Sequence, residues 1–436
     1  MKKISSWGNI EKKIYGDYTE LFSESQDFNE KNQTSLVFGN GRSYGDVCFG
    51  KDSIITTNKF NEIIFLDENT GLITCQSGLL LHDLFKQIIP KGWFLPVVPG
   101  TQFISIGGAV ANDIHGKNHH KKGSFGNHVT EIKVKNSRNQ VLTCSRTNNS
   151  ELFKSTVGGL GLTGIILEVT IQLTKISNID ISQNITPFFS FNEYLEINNL
   201  LESEYEYTVA WVDFYDRKKS IRGIFISGNH SKIGDNLSYK QKRIRVFPIT
   251  PPFSIVNNFT VSILNKLYFN MNKNIKNSVV KVNNFFFPLD ILHDWNKAYG
   301  KKGLVQYQFV LPQHQILESI NQIHEKIIKS KIKPSLTVLK TFGEIQPEGY
   351  LSFPRKGVSF AIDFPNSGKK LLNLLNELDK VIYQYGGALY PAKDIRMSSK
   401  MFKFSFPSLK KFLKSKDPKM NSLFFDRVNT NLSDIN

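Results

Sequence analysis

Three glycine-rich loops in the first third of the chain constrain its fold more than any other feature. The first, Phe38-Gly-Asn-Gly-Arg-Ser-Tyr-Gly-Asp46, follows a β-prone run, Ser35-Leu-Val-Phe38. Successive backbone N–H groups in such a loop form a concave nest for phosphate oxygens, and Gly39 and Gly41 remove the Cβ atoms that would block approach. The second is Val97-Val-Pro-Gly-Thr-Gln102, continued by Ser105-Ile-Gly-Gly-Ala-Val-Ala111. The third is His115-Gly-Lys-Asn-His-His120 with Gly123-Ser-Phe-Gly-Asn-His128. Singly each is an ordinary turn signal; together, in this order, they describe main chain gathered around a phosphate-bearing ligand.

The runs between these loops are short and β-prone. Ser53–Thr56, Glu62–Leu66 and Leu72–Gln76 read as strands, and Leu79–Phe85 has helical spacing. Ile132–Lys135 and Val141–Thr143 flank the turn Ser137-Arg-Asn-Gln140, a hairpin signal, and Ile165–Leu173 closes this α+β block. Further on, strand-like Tyr207–Asp213, Gln306–Val310 and Ser359–Asp363 alternate with amphipathic helices over Leu317–Ile328 and Lys369–Tyr385. That alternation predicts an α+β platform with helices on one face. The last segment, from Tyr390, carries a lysine-rich helical stretch placed to pack back on the first block.

A length of 436 residues exceeds what one hydrophobic core organises. The expected division is residues 1–174, residues 175–387 with an insertion at about 232–285, and residues 388–436 returning to the first block. The formal charge of +17 favours an anionic ligand, nucleic acid or an acidic membrane surface, and only three cysteines occur, which argues against a disulfide framework. The basic N-terminus lacks an apolar core for a signal peptide, and no apolar run reaches the ~18 residues that cross a bilayer. The expectation is a cytoplasmic protein with membrane attachment, if any, peripheral at the inner face.

Gly159-Leu-Gly-Leu-Thr-Gly164 satisfies G-x-G-x-x-G, but a dinucleotide fingerprint needs a strand before the glycines and a helix after. Here helix-like Ser150–Ser155 precedes and a strand follows, so a Rossmann NAD site is rejected; close backbone approach to a ligand or a tight turn accounts for the glycines. His115, His119 and His120 lack a carboxylate or Cys cluster to complete a metal site, so no metal is expected. From Asn236 to Leu289 there is no acidic residue, while Lys240, Lys242, Arg243, Arg245, Lys266, Lys273, Lys276 and Lys281 interleave with Phe247, Phe253, Phe259, Tyr268 and Phe269. This stretch reads either as a solvated basic insertion or as a segment lying on anionic lipid headgroups.

The runs GNGRSYGD, VVPGT, SIGGAVANDIHGKNHHKKGSFGNHV and STVGGLGLTGIILEVTIQL resemble the FAD domain of the vanillyl-alcohol oxidase / p-cresol methylhydroxylase (PCMH) superfamily. Within it they are most similar to the branch that oxidises prenyl-phosphate-linked ribose. The resemblance continues through WNKAYGKKGLVQYQFVLP, LKTFG, LSFP, AIDFP and GGALYPAKDIRMS, so it spans most of the chain. It implies a PCMH-type FAD domain of two subdomains and an α+β substrate domain with an antiparallel sheet.

By that resemblance, Gly39, Asn40, Gly41, Arg42, Ser43 and Tyr44 would cradle the FAD pyrophosphate. Pro99, Gly100, Thr101, Gly107, Gly108, Asn112, Ile114, His115 and Gly116 would line the flavin, with Ile165 on the adenine side and Tyr390 and Lys393 also at the cofactor. Arg42 falls where many members carry the His that bonds FAD covalently, so a dissociable, non-covalent cofactor is implied. Substrate-side positions are Lys117, Trp211, Gln306, Gln308, Lys340 and Phe342; Gln306 and Gln308 share one strand face. Lys393 is the candidate cation beside the flavin, and His115 a candidate base or hydrogen-bond partner. Ser359-Phe360-Ala361 stands where close relatives carry Asn-Ile-Cys.

The resulting expectation is an FAD-dependent oxidoreductase that takes a secondary hydroxyl of a polyprenyl-phosphate sugar to a keto-sugar. A separate NAD(P)H-dependent reductase would complete an epimerisation. A soluble aldonolactone or alditol oxidase of the same superfamily is the alternative. A nucleic-acid-binding protein, prompted by the charge, lacks any recognisable binding motif and ranks last.

Overall fold

A computed structural model describes residues 1–28, 33–214, 221–239 and 245–429. Lys240, Lys242 and Arg243 lie outside the described residues.

The first half of the fold is built on two sheets. Tyr18–Glu20, Ser53–Thr56 and Ser35–Phe38 form a small parallel sheet, with the first glycine-rich loop leaving its last strand. Five antiparallel strands follow in the order Val141–Ser145, Val129–Lys135, Ile165–Gln172, Leu72–Gln76 and Ile63–Leu66. The helix Leu81–Ile88 packs here because Leu81, Leu84, Phe85 and Ile88 recur on one helical face and are all fully buried. Each such side chain contributes about 1.5–3 kcal/mol of transfer free energy. The rejected fingerprint sits as its flanks predict: the helix Ser150–Thr156 ends before the glycines and the strand Ile165–Gln172 begins after them.

The second half is an antiparallel sheet of eight strands: Ser278–Val280, Ile181–Phe188, Arg222–His230, Tyr207–Asp213, Leu336–Phe342, Gly357–Pro365, Leu304–Leu311 and Ala388–Leu389, in that order. Side-chain alternation divides the work of its two faces. Val305, Tyr307, Phe309, Leu339, Phe360 and Ile362 point into a core shared with the helices Ile316–Ser330 and Lys369–Gln384. Gln306, Gln308, Val338, Lys340, Ser359 and Ala361, on the opposite parity, face a cavity. The fold is α+β, with the helices Ile316–Ser330 and Lys369–Gln384 on one face of the platform and, against the expectation, the helix Asn258–Asn272 packed on the other through Phe269.

The C-terminal stretch returns to the first half. Lys419 O accepts from Ser35 N–H, Asn421 N–H donates to Ser35 O, and Leu423 N–H donates to Phe49 O. Arg427 bridges Asp46 at 2.8 Å and Asp394 at 2.9 Å.

Candidate active site

The two halves enclose a cavity of about 640 Å³, large enough for a cofactor together with part of a substrate. Its floor is the glycine-rich main chain. Asn40 Nδ2 donates to Phe103 O at 2.7 Å and Arg42 Nε to the same carbonyl at 3.3 Å, so the first loop is tied to the second. Arg42 also lies over the Trp7 ring, 4.1 Å from its centroid. Asn118 Nδ2 donates to Pro96 O at 2.8 Å, tying the third loop to the second. Gly107 permits a close approach: a Cβ there would come 2.8 Å from Ser77 Cβ and 3.1 Å from its carbonyl oxygen. Gly161, at φ +75°, holds a conformation that L side chains rarely adopt, and it too lines the cavity.

The roof and walls come from the sheet. The Gln308 carboxamide meets His115 Nε2 at 2.8 Å, joining the halves across the cavity. His115 is packed edge-on against Phe342 (4.7 Å) and tilted against Tyr390 (5.8 Å). Gln306 Nε2 donates to Asp363 Oδ1 at 2.6 Å. The short turn Pro391–Lys393 delivers Lys393 over the Tyr44 ring at 4.1 Å, while Tyr44 N–H donates to Ala392 O at 3.0 Å. Tyr390 OH donates to Asn112 O at 2.9 Å.

Three lysines line this enclosed space: Lys117, Lys340 and Lys393. Burial pulls Lys340 down to about 8, and burial with the neighbouring Lys340 pulls Lys117 down to about 7. Lys393 also falls to about 8, burial and Lys340 outweighing the support of Asp363. Burial raises the Asp363 carboxyl to about 6, opposed by Gln306 and Lys393. His115 is held well below its ordinary value by burial and then by Lys340, His119 and Lys393, so it is neutral near pH 7. The site is therefore electropositive, suited to an anion and to reaction chemistry that needs a fixed positive charge.

The resemblance residues Gly39 to Tyr44, Pro99 to Thr101, Gly107, Gly108, Asn112, Ile114, His115, Lys117, Trp211, Gln306, Gln308, Lys340, Tyr390 and Lys393 all line the cavity. Three others stand off it. Ile165 is fully buried against Leu167 and Met420; strand parity turns its neighbour Ile166 to the cavity instead. Gly116 packs on Val98, and Phe342 closes the strand behind the site, where it meets His115 edge-on and His119 at a tilt. Lining residues outside the motifs are Trp7, Ser77, Phe286, Asp290 and, from the insertion, Leu264, Asn265 and Tyr268; Asp363 stands behind the lining, bonded to Gln306. Asp363 follows from the sequence, since it shares the parity of Ser359 and Ala361 on the strand that carries the AIDFP motif.

Residues 16–145 match the family described as FAD binding domain. Over 396 residues, 87% of this chain and 84% of the relative, the sequence is 34% identical to decaprenylphosphoryl-beta-D-ribose oxidase of Mycolicibacterium smegmatis. The chain belongs to the decaprenylphosphoryl-ribose oxidase family. This family is related to the vanillyl-alcohol oxidase / PCMH-type FAD-linked oxidases, and its new member is an FAD-dependent oxidoreductase. Lactone oxidases match over shorter stretches: a putative D-arabinono-1,4-lactone oxidase of Neurospora crassa is 30% identical over 42% of this chain and 32% of its own length. L-gulonolactone oxidase of Scyliorhinus torazame is 29% identical over 36% of this chain and 35% of its own length.

The cavity of this decaprenylphosphoryl-ribose oxidase family member fits FAD. Ser77 Oγ, Asn112 Oδ1 and His115 Nδ1 are buried without a hydrogen-bond partner, and all three residues line the cavity beside the glycine cradle. Buried polar atoms of this kind cost free energy unless a ligand satisfies them.

Proposed function

We propose that the protein oxidises the 2′-hydroxyl of a polyprenyl-phosphate-linked ribose to the keto-sugar, the first half of an epimerisation that serves cell-wall or polysaccharide precursor synthesis. The observation that carries this reading is the trio of half-buried lysines gathered at one cavity whose floor is glycine-rich main chain. Buried ammonium groups are expensive, and an anionic ligand is what offsets that cost.

In this reading the glycine-rich half is the two-subdomain PCMH-type flavin domain, residues 1–174. Residues 175–387 hold the substrate and residues 388–436 close the flavin site. Gly39 to Tyr44, the Pro99–Thr101 turn, Gly107, Gly108, Asn112, Ile114 and His115 hold FAD without a covalent link, because Arg42 occupies the first loop. When bound, FAD supplies the two-electron acceptor for the carbinol carbon. The chain's own groups do the rest. Lys393 keeps a positive charge at the reacting centre, steadied by Asp363. With the Gln308 carboxamide oxygen turned to accept from Nε2–H, neutral His115 keeps Nδ1, which has no protein partner, free to take the hydroxyl proton. Lys117 and Lys340 bind the substrate phosphate, and Trp211 and Gln306 flank the sugar. The keto-sugar product requires a separate NAD(P)H-dependent reductase. A prenyl carrier resides in a bilayer, so the protein works at a membrane surface; no described helix is long and apolar enough to cross one.

The test is anaerobic mixing of the holoenzyme with a short-chain prenyl-phosphoryl ribose while the flavin absorbance is followed. Bleaching is expected with the prenyl phosphate and not with free ribose. Efficient bleaching by a lipid-free aldonolactone or alditol, with no gain from the prenyl phosphate, would replace this reading with that of a soluble lactone-type oxidase.

A further inference from the structure

One helix of the basic insertion is packed unlike the others. In Asn258–Asn272, only Val261, Asn265 and Phe269, spaced four apart, are buried. Asn257 caps its start, accepting from Phe259 N–H and Thr260 N–H. Asn265 Nδ2 fastens the inner face to Asp213 Oδ1 at 2.9 Å, and Tyr268 lies on Trp211 at 4.8 Å. The opposite side is apolar and bare. Phe259, Ile263, Leu267 and Met271 form a second four-residue row, exposed by 73%, 45%, 53% and 72%. Solvated helices put charged residues on that side, so a row of large apolar groups marks an interaction surface.

We propose that this helix seats the protein on an anionic phospholipid surface, and that the lipid-linked substrate enters the cavity directly beneath it. The second clause rests on the prenyl-phosphate reading; the first does not. Charge decides the occupant. No acidic residue occurs from Asn236 to Leu289. Among the described residues, Arg245, Lys266, Lys273 and Lys276 pair with no carboxylate; apolar groups flanked by such cations suit headgroups and acyl chains together. Position supplies the entry route. Leu264 and Tyr268 are exposed on the same helix and also line the cavity, as do exposed Pro288 and Leu289 on the facing segment. Together they make an apolar mouth opening where the outer row would meet the bilayer. A prenyl chain can lie between helix and facing segment while its phosphate reaches Lys117 and Lys340.

The experiment is co-sedimentation of the holoenzyme with vesicles of phosphatidylcholine alone, or containing about a third phosphatidylglycerol, for wild type, F259E/L267E/M271E and L200E. The three substituted residues face outward and do not line the cavity; Leu200, exposed on another helix, is the control. Retained flavin absorbance and circular dichroism verify that each variant is folded. Wild type and L200E are expected to bind the anionic vesicles, and the triple variant about tenfold or more weakly. Its turnover of a water-soluble short-chain substrate should persist while turnover of a vesicle-embedded one falls. Wild type that ignores anionic vesicles, or a triple variant that binds them as wild type does, overturns the proposal. So does a wild-type dimer that the triple substitution dissolves without altering vesicle binding, since a second copy would then own the face. If no sugar phosphate bleaches the flavin in any variant, the oxidation reading fails while the sedimentation result stands.

Discussion

Replacing Lys340 with Met separates the cost of a buried charge from its use. Lys340 sits on the cavity face of its strand, and burial alone lowers its ammonium from 10.5 to about 8. At about 1.36 kcal/mol per unit, that shift corresponds to about 3 kcal/mol of strain on the ligand-free fold near neutral pH, reduced to about 1–3 kcal/mol by cavity water. The sign follows from linkage. Below the folded value the lysine is charged in both the folded and unfolded states, so the whole penalty is present; it fades as pH rises toward the unfolded value, where both states are neutral. Lys340→Met, similar in length and apolar, should therefore raise the thermal midpoint of the holoenzyme by roughly 2–6 °C at about pH 7 and much less at about pH 10. The same substitution should raise KM for a prenyl-phosphoryl sugar by about 10–100-fold, the worth of a hydrogen bond to a charged group, with little change for a phosphate-free analogue. Scanning calorimetry at the two pH values and initial-rate kinetics on the two substrates supply the readouts. A variant no more stable than wild type at neutral pH, or equally stabilised at both, would refute the claim that this cation is held at a cost. An unchanged KM would remove it from the phosphate site.

Acid precipitation should leave the yellow chromophore in the supernatant, because Arg42 occupies the first loop; colour retained in the pellet would mean a covalent bond. If the charge of Lys393 is what matters, kcat should fall as pH rises through about 8, where burial has brought its ammonium. Lys393→Arg should then move that alkaline limb upward, whereas a limb that stays put assigns it to another group. His115→Phe fills the space but supplies no basic nitrogen, and should lower kcat by about 10²–10⁴-fold with flavin still bound. Gly107→Val places carbon within 2.8 Å of Ser77 Cβ and should yield folded protein with depleted flavin, checked by the ratio of visible to ultraviolet absorbance.

Periodicity carried far where one face of an element is dry and the other is not. Tyr207–Asp213 is read off the sequence to the residue, and the helices at Ile316 and Lys369 within two residues of either end, because their apolar spacing has one solution. Gln306 and Gln308 sharing a cavity-facing parity follows from the strand alone. Parity also explains a miss: Ile165 and Ile166 are chemically alike, and nothing in the local sequence says which of two adjacent isoleucines turns toward the cavity. The N-terminal hairpin, Lys2–Ser5 with Lys12–Tyr15, went unseen because its lysines mask the alternation. The insertion helix was hidden for another reason: its apolar residues surround most of the axis, so no single stripe signals the helical period. Asp290 and Trp7 reach the site through tertiary contacts that no spacing encodes. Asp290 accepts from Gln102 N–H at 2.9 Å, a partner 188 residues away.

The turn that carries Lys393 leaves the sheet through Ala388–Leu389, and the chain beyond it bonds Ser35, Phe49 and Asp46. One covalent strap thus carries an ammonium group and ties lid to floor. A polypeptide cut between Leu389 and Pro391 would keep the sheet and the glycine floor, yet lose that ammonium and the tether together.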